Sequence, residues 1–535
     1  MKKNNGTVTL LKGCTIADGT GRQAFVGDVA LNGSEIAAVG KNLGTDGTVV
    51  DCAGLHLMPG FIDIHGHSDL KVLKDPSMTC KLQQGITTEV AGNCGVGTFP
   101  LCAESREVTL LDTRDVLGTY DYDWTDFASY ASKVEEQGSG TNILYLQSHT
   151  ALRTCVLHDD CNRPATKEEI TSMCHLLDVS LSQGCIGLSS GLYYAPCVFA
   201  QRDELEALLR VVSSHGKLFA VHHRCEGDEV VSSLQEVLDL ARSTGVRLEV
   251  SHLKAIGIKN QQYVPRLLTM LEEARREGID VAFDQYPYDF GSTSLFSLLP
   301  PQYLRLSHDQ LHMALGNRED RKRMSAMIMH PQGWDSLVEL CGFDKIIPIV
   351  LEGQENYQYK TLRQIALEMK GSSTDEACMD AFLTLLENEQ GVALMVDTTQ
   401  SEESLCTIMR HPLMCFGTDA LYASNLCHPR SYQAAIHMLQ EYCLGQKVLG
   451  LEEMVHRMSG KTAQRLGLSD RGTIEAGKKA DIVLLDLSRL KDNSTLTDPA
   501  ARPDGVEKVF VNGRLAIEDG RLVASCPFGK ILRML

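Results

Sequence analysis

Met58-Pro59-Gly60-Phe61-Ile62-Asp63-Ile64-His65-Gly66-His67-Ser68-Asp69 is the stretch on which the fold turns. Residues 60–67 form an apolar run of strand length that ends on two histidines. Side chains two apart in a strand share a face, so His65 and His67 can hold one cation together. Seven further runs of this kind follow, at 85–94, 142–150, 185–192, 217–224, 247–254, 280–288 and 412–420. They are nearly continuous in apolar residues, as strands covered on both faces should be. Amphipathic helical segments lie between several of them, for example 202–215 and 228–243. Eight β/α units in series predict an α/β fold, a (β/α)8 TIM-like barrel, over residues 58–469.

The flanks read differently. Residues 6–54 contain short strands separated by Gly and Asn turns, and Ala480–Leu485 and Val506–Val511 repeat the pattern before the turn signal Asn512-Gly513. The two ends, 1–57 and 470–535, are expected to combine into one small β-sandwich domain, since termini often lie close together. The gap between the seventh and eighth runs is too long for a βα loop. Residues 291–346 read as an insertion with helices of its own, and an insertion after a barrel strand sits over the C-terminal rim, where a substrate lid belongs.

The chain has 535 residues, too many for one compact core. Its net charge of −18 repels phosphate backbones, so no nucleic-acid partner is expected. No apolar stretch reaches bilayer length, so no membrane partner is expected either. The start, Met1-Lys2-Lys3-Asn4-Asn5, precedes an apolar run too short for a signal peptide, so the expected location is cytoplasmic. The 18 cysteines lack framework spacing and read as reduced, buried small hydrophobes.

The polar residues that carry chemistry stand at the ends of the runs: His65 and His67 in the first, Cys94 in the second, His222 or His223 in the fifth, His252 in the sixth, Asp419 in the eighth. Barrel enzymes place catalytic groups at the C-terminal ends of strands. Imidazole, thiolate and carboxylate together suit zinc, and a thiolate can bridge two metals. His252 and Lys254 share a face as His65 and His67 do.

With Gly92-Asn93-Cys94-Gly95, Gly187-Leu188-Ser189-Ser190-Gly191-Leu192, Ser251-His252-Leu253-Lys254, Tyr286-Pro287-Tyr288, Gly417-Thr418-Asp419 and His428-Pro429-Arg430, the chain resembles the amidohydrolase superfamily. Within it, the chain resembles the D-aminoacylase (N-acyl-D-amino-acid deacylase) family over nearly its whole length. The resemblance implies one tightly bound zinc on Cys94, His222 and His252, and a second, weaker site on His65 and His67 with Cys94 bridging and Asp419 nearby. The family pattern His-x-Arg-x-Glu, met by His222, Arg224 and Glu226, favours His222 over His223. Lys254, Tyr286 and Arg430 match positions that bind the substrate carboxylate; Tyr194 and Ser292 match other pocket positions. Hydantoinases, dihydroorotases and ureases bridge their metals with a carboxylated lysine on the fourth strand, and run 185–192 has no lysine.

The expected reaction is zinc-dependent hydrolysis of a small-molecule N-acyl-D-amino acid, with Asp419 as general base and then acid. The alternatives are another amidohydrolase activity on a carboxylate-bearing amide, of dipeptidase or cyclic-amidase type, and more remotely a non-catalytic metal-binding protein. D-selectivity rests on the resemblance alone.

Overall fold

All eight apolar runs become neighbouring strands of one parallel sheet in the computed structural model, which describes residues 8–534 apart from Arg305, Gln390 and Ser525. The first seven residues, with the lysines read at 2 and 3, lie outside the described residues. The strands are Phe61–Asp63, Ile86–Ala91, Asn142–Ser148, Gly187–Gly191, Leu218–His222, Arg247–Val250, Val281–Gln285 and Met414–Phe416, paired in chain order. Their residues are buried except for a half-buried Arg247. That double burial is why they read as unbroken apolar runs rather than alternating ones.

The barrel closes where its first and eighth strands meet. Few backbone bonds make this seam: Ile64 N to Phe416 O at 3.1 Å, Asp419 N to His65 O at 2.8 Å and His67 N to Ala420 O at 3.2 Å. Helices cover the outside. Arg202–Ser214 turns Leu205, Leu208, Leu209 and Val212 inward, a helical-period stripe. Lys167–Ser182 starts with a capping box in which Thr166 and Glu169 satisfy each other's backbone N–H groups.

Both termini build the second domain, as its turn-rich composition predicts. Its nine strands form one continuous sheet, in which Ile482–Leu485 from the C-terminal segment pairs antiparallel with His56–Pro59. Leu11, Ile16, Val29, Leu57, Ile482 and Phe510 share its core. Met58 and Pro59 still pair with Val483 and Ile482, so this sheet runs two residues past the expected boundary at 57. The last residues leave it: the backbone at Lys530 bonds Ile143 at 2.9 Å, under the third barrel strand.

The insertion is longer than the expected 291–346. The apolar run at Ile346 does not return to the barrel; it forms Ile346–Val350, which pairs with Leu394–Thr398, which in turn pairs with Phe290–Ser294. Helices including Arg318–Met329 and Asp375–Asn388 pack on this three-stranded antiparallel sheet around a separate core of Leu298, Met324, Ile328, Phe382 and Met395. The chain re-enters the barrel through helix Glu402–Arg410. One pair of the cysteines read as reduced, Cys102 and Cys155, forms a disulfide with a Cα–Cα distance of 5.2 Å. Among the described residues no helix is long and apolar enough to cross a membrane.

Candidate metal centre

The C-terminal strand ends bring two sets of donors together. His65, His67, Cys94 and Asp419 present atoms within 4.8 Å of one another, as do Cys94, His222 and His252. Cys94 is common to both sets. Its Sγ lies 3.3 Å from His65 Nε2 and 3.4 Å from His252 Nε2, and His222 Nδ1 is 2.9 Å from His252 Nε2. Asp419 Oδ1 lies 3.2 Å from His67 Nε2 and 3.4 Å from His65 Nε2. His223, left open in the strand reading, points elsewhere: its Nδ1 meets Ser233 Oγ at 2.9 Å, and burial pushes its pKa down to about 3.

The local backbone is unusual at these residues. Cys94, His252 and Asp419 have φ of 51°, 35° and 50°, a region that non-glycine residues rarely occupy. Three such conformations at one cluster mark a place where side-chain position outweighs backbone comfort. Gly191 makes room for the thiol-bearing turn: a Cβ there would stand 2.2 Å from the Cys94 carbonyl oxygen. The end of the fourth strand thus packs directly against the Cys94 turn.

The charges of these groups are set by one another. Burial works against a thiolate at Cys94, yet the His65 and His252 rings outweigh it and hold the pKa well below the usual thiol value. Burial likewise opposes charge on Asp419, but Arg430 and His65 keep its pKa well below the carboxylate range. His252 is disfavoured as a cation by burial and by Lys254, but Glu226 and Cys94 lift its pKa to about 9. Thiolate, carboxylate and imidazole together are donors that a divalent cation takes.

A supporting layer, of which the sequence reading used only Glu226 and gave it no role, holds these groups. Asp284 bonds His65 Nδ1 at 3.0 Å and accepts His252 N at 2.9 Å, leaving His65 Nε2 to face the cluster. Its signal was an acidic residue inside the apolar run 280–288. Glu226 lies 3.2 Å from His252 Nδ1. Beneath the seam, Asp63 accepts His65 N at 3.0 Å, Thr418 N at 2.8 Å and Thr418 Oγ at 2.6 Å. Lys81 donates to Asp63 at 2.5 Å and stands 3.3 Å from Glu89, all three fully buried.

The residues expected to meet the substrate line two cavities that share lining residues. Lys254, Tyr286 and Arg430 bound a small one of about 40 Å³. Lys254 Nζ donates to Glu226 at 2.8 Å; Arg430 pairs with Asp419 Oδ2 at 3.0 Å and lies 4.6 Å over the Tyr286 ring. Tyr194 and Ser292 line both cavities. Tyr194 Oη meets Thr293 Oγ at 3.2 Å, whereas the Ser292 hydroxyl is committed to the Met395 carbonyl at 2.8 Å. The larger cavity, about 660 Å³, opens past His67, Cys94 and Asp419 and is walled by apolar groups such as Val96, Val108, Phe296 and Leu311.

Two donor sets sharing one thiol, a carboxylate and a buried arginine, all on the C-terminal rim of a parallel barrel, define a barrel hydrolase of the metal-dependent class. The amidohydrolase family profile matches residues 48–336 and 389–517. The chain is 31% identical to a D-aminoacylase of Alcaligenes xylosoxydans xylosoxydans, over 94% of this chain and 93% of that one. It is 30% identical to an N-acyl-D-aspartate deacylase of the same organism, over 98% and 94% of the two chains. The crystal structure of N-acyl-D-glutamate deacylase from Bordetella bronchiseptica, complexed with zinc and a phosphonate inhibitor, superposes with a TM-score of 0.81 at 27% identity, covering 99% of this chain and 100% of that one. The chain belongs to the amidohydrolase family, in its D-aminoacylase branch, and is a hydrolase of linear amide C–N bonds.

Proposed function

We propose that the protein hydrolyses N-acyl-D-amino acids to a carboxylate and a free D-amino acid, with zinc as its cofactor. The observation that carries this is the Cys94 thiol shared between two donor sets, with Asp419 on one side and the Lys254–Tyr286–Arg430 group beyond. Cys94, His222 and His252 would hold the tighter zinc; His65 and His67, with Cys94 and Asp419, would hold a second, weaker one. Sulfur, imidazole and carboxylate are the donors zinc takes. Bound zinc supplies a Lewis acid for the amide carbonyl and acidifies water to a pKa near ~7.

The chain's own residues do the rest. Asp419 stands with Oδ1 toward the donor cluster and Oδ2 toward Arg430, both within hydrogen-bond reach. It takes the proton of the attacking water and delivers it to the nitrogen as the C–N bond breaks, so the amine leaves neutral. Arg430 presents a planar fork to the substrate α-carboxylate, Lys254 a point charge and Tyr286 a hydroxyl. With the carboxylate held in the small cavity, the acyl group lies on the other side of the scissile carbon, in the large one. The fourth strand, Gly187–Gly191, offers no lysine to carboxylate, which disfavours the cyclic-amidase reading.

Acetate release from matched N-acetyl-D- and N-acetyl-L-amino acids by zinc-loaded protein tests the proposal. Release confined to the D series is expected. Equal turnover of both series, or of neither, refutes it.

A further inference from the structure

The small cavity contains more acidic groups than a carboxylate clamp needs. Its charged lining is Lys254 and Arg430 against Glu226, Asp335, Asp397 and Asp419. Glu226 is engaged with Lys254, and Asp419 with Arg430. Asp335 and Asp397 are left over, both buried and both contributed by the insertion. Asp335 uses Oδ2 to accept the backbone N–H groups of Glu226, at 2.5 Å, and Gly227, at 2.7 Å. Among the described residues no side chain donates a hydrogen bond to the Asp397 carboxylate.

Gly291 shows where Asp397 faces. A Cβ built there would stand 3.3 Å from Asp397 Oδ1 and 3.3 Å from the Tyr286 hydroxyl. A Cβ would be crowded by both, and its absence lets Asp397 Oδ1 and the Tyr286 hydroxyl line the small cavity side by side. The substrate's α-carbon bears its side chain beside the carboxylate that the clamp would hold, which brings the side chain to the wall that Asp397 lines.

We infer that Asp397, seconded by Asp335, selects N-acyl-D-amino acids whose short side chain ends in a hydrogen-bond donor (amide, hydroxyl or ammonium) and rejects those ending in a carboxylate. The inference rests on the deacylase reading above and names the substrate class within it. The α-carboxylate takes up both cations of the cavity. A second carboxylate would find no further lysine or arginine among the lining residues and would meet the two buried carboxyl groups of Asp397 and Asp335. A donor-bearing side chain of the same shape gives Asp397 the partner it lacks.

The isosteric pair N-acetyl-D-asparagine and N-acetyl-D-aspartate tests this on the zinc-loaded full chain. The wild type should prefer the asparagine substrate by ~100-fold in kcat/KM, the upper end of what one unpaired buried polar group costs. Asp397→Asn should narrow that preference at least ~10-fold, and Asp335→Asn should narrow it less. Equal use of the two substrates by the wild type overturns the inference while leaving the deacylase reading standing. So does an unchanged preference in both variants. Release from no N-acetyl-D-amino acid at all overturns both readings.

Discussion

Lys81 sits under the seam of the barrel, 0% exposed, and replacing it with methionine should unseat the metal centre without touching a proposed ligand. Its ammonium donates to Asp63 at 2.5 Å and to Thr418 Oγ at 3.2 Å, and lies 3.3 Å from Glu89. Methionine keeps most of the volume and removes the charge. Two buried carboxylates then face each other with their shared cation gone, and breaking a buried pair by removing one partner costs about 3–5 kcal/mol. The upper half of that range is expected, because two acids lose their partner rather than one. The damage also reaches the site: Asp63 positions His65 N and the backbone of Thr418, next to Asp419. Lys81→Met should therefore weaken zinc at the His65/His67/Asp419 set more than at Cys94/His222/His252. Urea unfolding of the metal-free protein reads the first effect, and zinc titration with separate fits for the tight and weak components reads the second. Adding Asp63→Asn and Glu89→Gln should restore much of the stability, because an uncharged network can rearrange; the Thr418 hydroxyl already lies 3.3 Å from the His65 carbonyl. A loss under about 1 kcal/mol with both zinc components unchanged would refute the reasoning.

Asp419→Asn keeps the shape of the side chain but cannot carry a proton, so turnover should fall by ~10²–10⁴-fold while tight zinc is retained; steady-state rates and metal content measured on the same preparation check this. Arg430→Ala should cost about 2–5 kcal/mol in kcat/KM on N-acyl-D-amino acids and far less on their α-amides, and equal losses on both would remove the clamp. His149 gives a pH signature. Burial disfavours its charge, but Cys197 and Glu204 outweigh it and lift the pKa to about 9. A pKa above the unfolded value of ~6.5 stabilises fully below that pH and is lost as pH rises through 9. The stability gap between wild type and His149→Gln should therefore shrink as pH rises from 6 to 10, read by urea unfolding across that range.

The barrel was legible because its strands are buried on both faces. Double burial demands continuous apolar runs, so all eight runs from 60–67 to 412–420 stand out against the amphipathic helices between them. The polar residues at the run ends stood out for the complementary reason: histidine and aspartate are anomalous in such runs, and Cys94 stood out by its place at a run end. The extent of the insertion was not legible. Its strand Ile346–Val350 has the same apolar signature as a barrel strand, and only pairing partners distinguish them.

The sequence by itself therefore determined the class of fold, the strand ends that carry chemistry and the kinds of donor available there, because burial and donor type are properties of individual residues. The resemblance pointed to a bridging Cys94 and to His222 over His223, and the strand reading alone left the histidine open; tertiary structure alone decided that Lys81, Asp63 and Asp284 hold the cluster from beneath. It alone brought Asp335 and Asp397 from the insertion to the clamp. The physical reason is that most of these are pairings between residues well over a hundred positions apart. No local period or composition encodes such pairings; the closed barrel and the chain folded over its rim create them.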